Sequence, residues 1–244
     1  MKTMHRRIAK NIQRLGFTVA DAFERKSVSV GSVKFDVKKW LGSGGQAHVF
    51  LGSEPRTGDE VAIKFSSTYS LAFRTERDFY KRLEGCEGFP KVYGLYTSPE
   101  ASAFTMEYLG PDIGKLSRQR RFSLKTVLKI GMQLVDRVET MHEQGLIHRD
   151  IKPFNIAIGR HNHKVGLIHV FDLGLAKQFV DHKGEHLPNS KSARYPCGTP
   201  EFMSLNVHNR EEASRRDDME SVLYTLMYLL YGGHLPWEFL RGGK

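Results

Sequence analysis

The stretch His148-Arg-Asp-Ile-Lys-Pro-Phe-Asn155 brings together side chains suited to proton transfer and charge neutralisation. Asp150 can accept a proton from a hydroxyl group or orient it, and Lys152 can neutralise negative charge on a group in transfer. Asn155, five residues after Asp150, can offer its amide oxygen to a metal ion. Each of these residue types is also common in ordinary turns, so the stretch alone leaves catalysis open.

A second acidic motif follows in FDLG, residues 171–174, where Asp172 stands two residues before a glycine at which the chain must turn. Mg²⁺ takes oxygen ligands and is usually shared between carboxylates and substrate phosphates. Asn155, Asp172 and the oxygens of a nucleotide would together satisfy such an ion. The two motifs therefore predict a magnesium site.

The glycine-rich stretch LGSGGQAHV, Leu41–Val49, lies between two predicted strands. Its glycines allow backbone amides to approach phosphate oxygens where a Cβ atom would collide. It is not a Walker motif, because no Gly-Lys-Ser/Thr follows at the required spacing. Alone, the stretch is weak evidence and is better explained by a plain glycine hairpin.

The strand-like run VAIK, Val61–Lys64, contains a lysine that must emerge from apolar surroundings or find an anionic partner. Ala62 can flank a flat base, and Lys64 can reach phosphates. The alternative is a strand lysine whose stem lies on apolar surface while its head reaches water. The glycine-rich stretch, VAIK, HRD-x-x-x-x-N and D-x-G in this order are typical of nucleotide-dependent phosphoryl transfer.

The pattern of apolar residues divides the chain into a strand-rich part and a helical part. Strands are predicted from Val33, around the two motifs above, and near residues 92–96 and 104–108, with a helix over 75–83. Beyond Pro111 the spacing is helical. An apolar stripe at three- and four-residue steps predicts one long helix, with Ser123 as N-cap and Gly145 as its stop; the stripe comprises Val127, Ile130, Leu134, Val138 and Met141.

Two further helices are predicted at the ends of the chain. Ile8, Ile12 and Leu15 fall on one face of a short basic helix before Gly16. The stretch 219–230 is apolar on nearly every side, so we expect that helix to be buried.

Composition excludes some functional classes. The net charge of +10 favours acidic partners, but the basic runs lack the interleaved aromatic residues of a single-strand stacking surface, so nucleic-acid binding is a secondary interpretation. No apolar run reaches transmembrane length. Two cysteines far apart imply no disulfide framework and favour a cytoplasmic or nuclear location. The HNH stretch, 161–163, lacks the further ligands that a metal site needs.

The motifs resemble those of the eukaryotic protein kinases from about Val33 to Trp237 and, within them, the casein kinase 1 family. The closer likeness lies in MEYLGP (106–111), FSLKTVL (122–128), SRRDD (214–218) and the LMY…LPW run (226–237). Members of that family typically have a Ser-Ile-Asn-like sequence where other kinases have Ala-Pro-Glu. Here residues 204–206 read Ser-Leu-Asn.

The resemblance implies an α+β, bilobal protein-kinase fold. A small β-rich N-lobe would span residues 33–108, and a mainly α-helical C-lobe, lacking the last helices, would span 109–244. Residues 1–32 would form a basic N-terminal extension. The implied activity is transfer of the γ-phosphoryl group of ATP, with Mg²⁺, to serine or threonine of protein substrates. A partner protein could cover the apolar surface of the short C-lobe.

Matching by motif, the resemblance also implies roles for individual residues. Asp150 would be the catalytic base, assisted by Lys152. Lys64 would hold the α and β phosphates and would be positioned by Glu76. The metal ligands would be Asn155 and Asp172.

The resemblance implies nucleotide contacts in the glycine-rich stretch, the VAIK strand and the MEYLGP segment. In that segment Met106 would be the gatekeeper, and Glu107 and Leu109 would offer backbone groups to adenine. These contacts comprise Leu41, Gly42, Ser43, Gly44, Gly45, Val49, Ala62, Lys64, Met106, Glu107, Leu109 and Ala157. Asp218 would be the buried anchor of the catalytic loop. Thr199, with Lys152, matches the pattern of kinases specific for serine and threonine.

Several residues depart from the family pattern. Phe154 replaces a residue that is often acidic, and its side chain either packs or alters the substrate surface. Glu201 stands where casein kinase 1 proteins usually have an arginine that binds an anion, so a preference for phosphate-primed substrates is not expected. Arg149 would need a phosphate on the activation loop, with Ser190, Ser192 and Tyr195 as acceptors, although the resemblance argues instead for constitutive activity. Acidic substrates remain favoured by four other cations: Lys191, Arg194, Arg216 and Arg241.

The alternative function is a nucleotide-binding pseudokinase or scaffold with little activity. Its signature would be the loss of Lys64, Asp150, Asn155 or Asp172, and all four are present. A basic nucleic-acid-binding module would account for the charge alone and would leave this catalytic set unexplained.

Overall fold

The computed structural model describes residues 27–30, 32–44, 47–66, 71–97, 102–160, 166–188 and 196–238. Five sequence predictions lie outside these residues: the helix before Gly16, Gly45, the HNH stretch, the cations Lys191, Arg194 and Arg241, and the candidate phosphoacceptors Ser190, Ser192 and Tyr195. The chain divides into two compact units. One unit comprises residues up to Lys81 together with Lys91–Tyr108, and the other comprises Arg82–Pro90 together with the chain from Leu109.

The first unit is built on an antiparallel sheet, whose strand order within the described residues is β1-β2-β3-β4-β6-β5. The strands are β1 (Ser27–Val30), β2 (Val33–Gly44), β3 (Ala47–Ser53), β4 (Glu60–Ser66), β5 (Val92–Thr97) and β6 (Ser102–Glu107). The strands predicted from alternating apolar residues are confirmed. The strand β1 lies in the stretch assigned to the N-terminal extension and pairs with β2.

One face of this sheet forms the apolar core of the first unit. Phe35, Phe50 and Ile63 from three neighbouring strands are each less than a tenth exposed. Gly52 on β3 leaves the space that Ile63 fills, since a Cβ atom at Gly52 would lie 2.4 Å from its Cδ1 atom. Burying such large apolar side chains contributes about 1.5–3 kcal/mol each. This packing fixes the register of β4, which carries the VAIK motif.

A single described helix, α1 (Leu71–Arg82), follows β4. Its apolar positions Phe73 and Tyr80 pack on the ring of Phe104, with ring centroids 4.9 and 6.2 Å apart. The helix was predicted over residues 75–83 and begins four residues earlier. The buried face of the helix also carries Glu76, which is 3% exposed.

The second unit is mainly helical. Its elements are the helices α2 (Ile113–Gln119), α3 (Leu124–Glu143), α4 (Leu205–His208) and α5 (Arg215–Leu230), the short strands β7 (Leu146–Ile147), β8 (Ile156–Ile158), β9 (Ile168–Val170) and β10 (Lys177–Gln178), and 3₁₀ turns at Pro153–Asn155, Leu173–Leu175 and Pro200–Phe202. The strand β7 pairs with β10 and β8 pairs with β9, both antiparallel.

The long helix α3 forms as its sequence predicts. The Ser123 hydroxyl accepts a hydrogen bond from the Thr126 N–H at 3.2 Å, which caps the first turn. The helix ends at Glu143, two residues before Gly145, which has a φ of 70°. The five residues of the predicted stripe are all buried, and Leu134 has no exposed surface. Replacing that leucine by alanine would cost about 2–5 kcal/mol.

The prediction that the helix over 219–230 is buried on nearly every side is wrong. Leu223 on α5 is 61% exposed, whereas Val222 and Leu229 are at most 1% exposed. The buried face packs against α3, where Gly131 allows a close approach: a Cβ atom there would lie 3.0 Å from Leu226. Among the described residues, the neighbours of α5 leave the side that carries Leu223 exposed. Within the described ranges, no helix is long and apolar enough to cross a membrane.

Candidate active site

In the first unit, Lys64 and Glu76 form an ion pair with 2.6 Å between Nζ and Oε1. Lys64 lies on β4, and the side chain of Glu76 projects from the buried face of α1. Their side chains are only 12% and 4% exposed. A lysine in an apolar strand needs such an anionic partner, because an unpaired buried charge is costly. The sequence motif thus places a fixed ammonium group in the sheet.

The glycine-rich stretch forms the end of β2 and the start of β3 of the same sheet. At Gly42 and Gly44, a built Cβ atom would meet no other described atom within 4 Å. The protein's own packing therefore gives no reason for glycine at these two positions. Space kept clear beside backbone amides fits a bound phosphate chain. Burial lowers the pKa of His48 on β3.

The remaining nucleotide residues predicted in this unit lie along the same strands. Ala62 pairs with Met106 across β4 and β6, and both side chains are 7% exposed. The backbone N–H of Glu107 donates to the Lys91 carbonyl at 2.8 Å. The resemblance assigns backbone groups of Glu107 and Leu109 to adenine.

In the second unit, the carboxylate of Asp150 accepts hydrogen bonds from three side chains. Lys152 Nζ donates to Oδ2 at 2.7 Å, and the Thr199 hydroxyl donates to Oδ1 at 2.7 Å. The amide nitrogen of Asn155 donates to Oδ2 at 3.0 Å. Lys152 also donates to the Thr199 oxygen at 2.7 Å. Asp150 is 8% exposed, so its orientation is fixed while one edge still faces solvent.

His148, the histidine of the HRD motif, stabilises this loop through two hydrogen bonds to backbone groups. The Asp150 backbone N–H donates to His148 Nδ1 at 3.2 Å. Because Nδ1 accepts, the ring proton lies on Nε2, which donates to the Phe171 carbonyl at 3.2 Å. His148 has no exposed surface. The His148 imidazole therefore links the carbonyl of Phe171, the residue before Asp172, to the backbone of Asp150.

The backbone of the loop is held by Asp218 on α5. Its carboxylate accepts hydrogen bonds from the backbone N–H groups of His148 and Arg149 at 2.8 and 2.9 Å. Arg149 has a φ of 66°, a left-handed conformation that costs about 1–3 kcal/mol for a residue other than glycine. His142 Nε2 donates to the same carboxylate at 2.9 Å. The anchoring role expected for Asp218 is supported by these contacts.

Thr199 reaches Asp150 because the chain before it passes close to the catalytic loop. Gly198 has a φ of 129°, and a Cβ atom there would lie 2.6 Å from the Arg149 carbonyl oxygen. Only glycine is compatible with both conditions. The position of the Thr199 hydroxyl is therefore set by its neighbour.

Asn155 and Asp172 lie at the same end of a two-stranded ribbon. Asn155 directly precedes β8, and Asp172 is the second residue after the end of β9. Ile156 of β8 lies opposite Val170 of β9. The Phe171 N–H donates to the Asn155 carbonyl at 3.0 Å. The Asn155 amide nitrogen binds Asp150, so its oxygen points away from that carboxylate. Asp172 has a φ of 66°, a conformation that aspartate tolerates better than most residues.

This donor set fits a magnesium ion that keeps most of its ligands from a nucleotide and water. One amide oxygen and one carboxylate are the hard oxygen ligands that Mg²⁺ prefers. In the part of the chain that the structure describes, no cluster of three or more histidine, cysteine, aspartate or glutamate residues could hold a metal by itself. Ala157, the nucleotide residue predicted in this unit, is buried on β8 at 2% exposure.

Phe154 packs against neighbouring side chains and is partly buried. Its ring lies against Gly114, where a Cβ atom would be 2.6 Å from the ring, and meets Tyr228 edge-on at 5.9 Å between centroids. The Arg118 guanidinium lies over the ring at 4.9 Å and donates to the Tyr228 hydroxyl at 2.9 Å. The departure from the family pattern is compensated by Gly114, which leaves room for the ring.

Residues 35–241, most of the chain, match the family model of the protein kinase domain. The chain belongs to the protein kinase family. Members of this family are phosphotransferases, and membership supports protein kinase activity for this chain. The predicted α+β fold, a curled antiparallel sheet followed by a helical region, is confirmed as that of a protein kinase domain.

Some residues of this kinase domain that bear on the site were missed by sequence reasoning. His142 was assigned no role, although it binds Asp218, because it lies beside the apolar stripe of α3 and has no motif of its own. Gly198 was assigned no role either. Their positions depend on contacts with residues far away in the chain.

Proposed function

We propose that this protein is a serine/threonine protein kinase similar to casein kinase 1, with ATP and Mg²⁺ as cofactors. The observation that carries the proposal is the Asp150 carboxylate, which is oriented by Lys152, Thr199 and Asn155. When bound, ATP with Mg²⁺ supplies the γ-phosphoryl group, which moves to the substrate hydroxyl oxygen while ADP leaves.

Asp150 accepts the proton of the substrate hydroxyl. Each carboxylate oxygen has two lone pairs, so an oxygen that already accepts a hydrogen bond retains a second acceptor position. Lys152, 2.7 Å from Asp150, stabilises negative charge on the group in transfer. Orientation by three donors lowers the barrier because the base is already in place.

The other residues bind and orient. Lys64, held by Glu76, contacts the phosphates nearest the nucleoside, and the glycines at positions 42 and 44 let the backbone approach them. Asn155 and Asp172 hold the metal ion. The resemblance assigns contacts with the base to Met106, Glu107, Leu109, Ala62 and Ala157.

Specificity for serine and threonine is supported by the Lys152–Thr199–Asp150 contacts, which match the pattern of that class. The likeness to casein kinase 1 is supported by Asn206, which stands where other kinases have glutamate. Its amide donates to the buried Asp217 carboxylate at 3.4 Å, and Asp217 also accepts from the Ser204 hydroxyl at 2.6 Å. Protein substrates follow from this activity. Arg216, one of the cations proposed to favour acidic sequences, donates to Glu211 at 3.3 Å.

The test is to incubate the protein with Mg-ATP labelled at the γ position and a generic Ser/Thr substrate, with Asp172→Ala as control. We expect transfer by the native protein only, with label recovered on phosphoserine or phosphothreonine. Background transfer by both folded proteins would contradict the proposal. Label on phosphotyrosine would contradict the assigned specificity alone.

A further inference from the structure

We propose that Glu212 is a positioning residue for the proposed phosphoryl transfer, acting through Lys177 on the catalytic loop. The Lys177 ammonium and the Glu212 carboxylate form an ion pair, although the two residues are 35 positions apart in the chain. This inference rests on the proposed function. It adds to that function the group that fixes the segment between Asp172 and the substrate-binding loop.

Lys177 is directly connected to both catalytic motifs. It lies on β10, where it pairs with Ile147, the residue immediately before His148 of the HRD stretch. It also follows Asp172 by five residues. Any displacement of β10 therefore moves the segment that carries Asp172 relative to the loop that carries Asp150.

Two positive charges meet at this point. Arg149 Nε donates to the carbonyl of Leu175, two residues before Lys177, at 2.6 Å. Burial first, and the charge of Arg149 second, lower the pKa of Lys177. Two neighbouring cations that are partly removed from water need an anion nearby. Glu212 supplies that anion, and its side chain is 20% exposed.

Glu212 lies on the chain between α4 and α5, two residues before the N-cap Ser214. The same region makes a second contact with the β10 segment, since the Arg215 guanidinium lies over the Phe179 ring at 5.0 Å. Lys177, Phe179 and Glu212 line a cavity of about 170 Å³. Because α5 also carries Asp218, this helix contacts both the catalytic loop at Arg149 and the residue after β10 at Phe179.

A carboxylate in this position has a consequence for activation. The family resemblance left two alternatives open for Arg149: a need for a phosphate on Ser190, Ser192 or Tyr195, or constitutive activity. With Glu212 as a built-in anion, the protein needs no such phosphate to order β10. We therefore expect activity in protein that mass spectrometry shows to be unphosphorylated at these three residues.

The test compares Glu212→Gln with Glu211→Gln, a matched control at the adjacent, exposed glutamate that accepts from Arg216. Glu212→Gln should lower kcat by roughly tenfold to a hundredfold, with the KM for ATP changed by less than about threefold. The charge-exchange double variant Lys177→Glu/Glu212→Lys should recover most of the lost kcat. A purely structural role would lower thermal stability with no fall in the kcat of the molecules that remain folded.

Hydrogen–deuterium exchange gives a readout that does not depend on activity. Peptides covering residues 171–180 should exchange faster in Glu212→Gln than in the native protein. In Glu211→Gln their exchange rate should equal that of the native protein. If the native protein transfers phosphate but Glu212→Gln has unchanged kcat and unchanged exchange, the positioning role is refuted. If the native protein is inactive but exchange rises as expected, the proposed function fails while the ion pair's ordering of β10 stands.

Discussion

The carboxylate of Asp218 accepts a hydrogen bond from the backbone N–H of Arg149 at 2.9 Å, although the two residues are 69 positions apart. Asp218 is 2% exposed, and it accepts the N–H of His148 as well. The left-handed conformation of Arg149 is unfavourable by itself, so the loop needs this external acceptor. The geometry around Asp150 is thus set from a distant helix.

Replacing Asp218 by alanine should destabilise the fold and the loop together. The change leaves two buried N–H groups unpaired, at about 1–3 kcal/mol each. Urea unfolding should show this loss, and kcat should fall in the molecules that remain folded. Asp218→Asn keeps one acceptor oxygen and should lie between the two. An alanine variant with native stability and native kcat would contradict the anchoring role.

Substitutions in the ion pair of Lys64 and Glu76 should affect the stability of the fold and the phosphoryl-transfer activity differently. Lys64→Met leaves the buried Glu76 carboxylate without this lysine, which should cost about 3–5 kcal/mol. The double variant Lys64→Met/Glu76→Leu removes both charges and should recover most of the unfolding free energy. Both variants should be inactive in phosphoryl transfer. Recovery of activity in the double variant would show that Lys64 serves the fold alone.

The Thr199 hydroxyl should matter for rate more than for stability. Thr199→Ala removes a hydrogen bond to a charged carboxylate, worth about 1.5–3 kcal/mol, so kcat should fall roughly tenfold to a hundredfold. Thr199→Ser keeps the hydroxyl and should retain most of the rate. Steady-state kinetics with a serine peptide measures both variants. Equal rates for the alanine and serine variants would exclude a role for the hydroxyl.

Because the pKa of Tyr224 is raised, we expect the folded protein to lose stability at alkaline pH. Burial first, and its hydrogen bond to Glu220 at 2.6 Å second, raise the pKa of Tyr224 from 10.0 to about 12. Between these values the folded protein keeps the phenol proton while the unfolded chain loses it, so stability is complete below pH 10 and falls as pH rises towards 12. Tyr224→Phe lacks this contribution.

Guanidinium unfolding of the native protein and Tyr224→Phe across this range measures the effect. The difference in unfolding free energy should change little below pH 10 and should move in favour of Tyr224→Phe above it. Parallel pH profiles for the two proteins would show that this hydroxyl does not contribute.

Local patterns were sufficient for much of the fold. The stripe from Val127 to Met141 predicted α3 because a helix buries every third or fourth residue. Alternation of Val33, Phe35 and Val37 predicted β2, and a short strand-like run predicted β4. Periodicity failed for Leu223, since burial depends on which neighbours cover a helix and the sequence of α5 does not contain that information.

The candidate site divides in the same way. Spaced motifs pointed to Asp150, Asn155 and Asp172 because the chemistry needs those residue types in that order. The contacts of His142 with Asp218 and of Lys177 with Glu212 join residues 76 and 35 positions apart. No local spacing encodes them, so they required the folded structure.

The most direct test of phosphoryl transfer by this protein is the effect of Asp150→Asn. The substitution keeps size and removes the base, and general-base catalysis contributes typically about 10²–10⁴-fold. We expect the native protein to phosphorylate a serine peptide with Mg-ATP and the variant to be slower by about that factor, with the Kd for Mg-ADP changed less than about threefold. Equal rates for the two folded proteins, whether both active or both at background, would contradict the central claim.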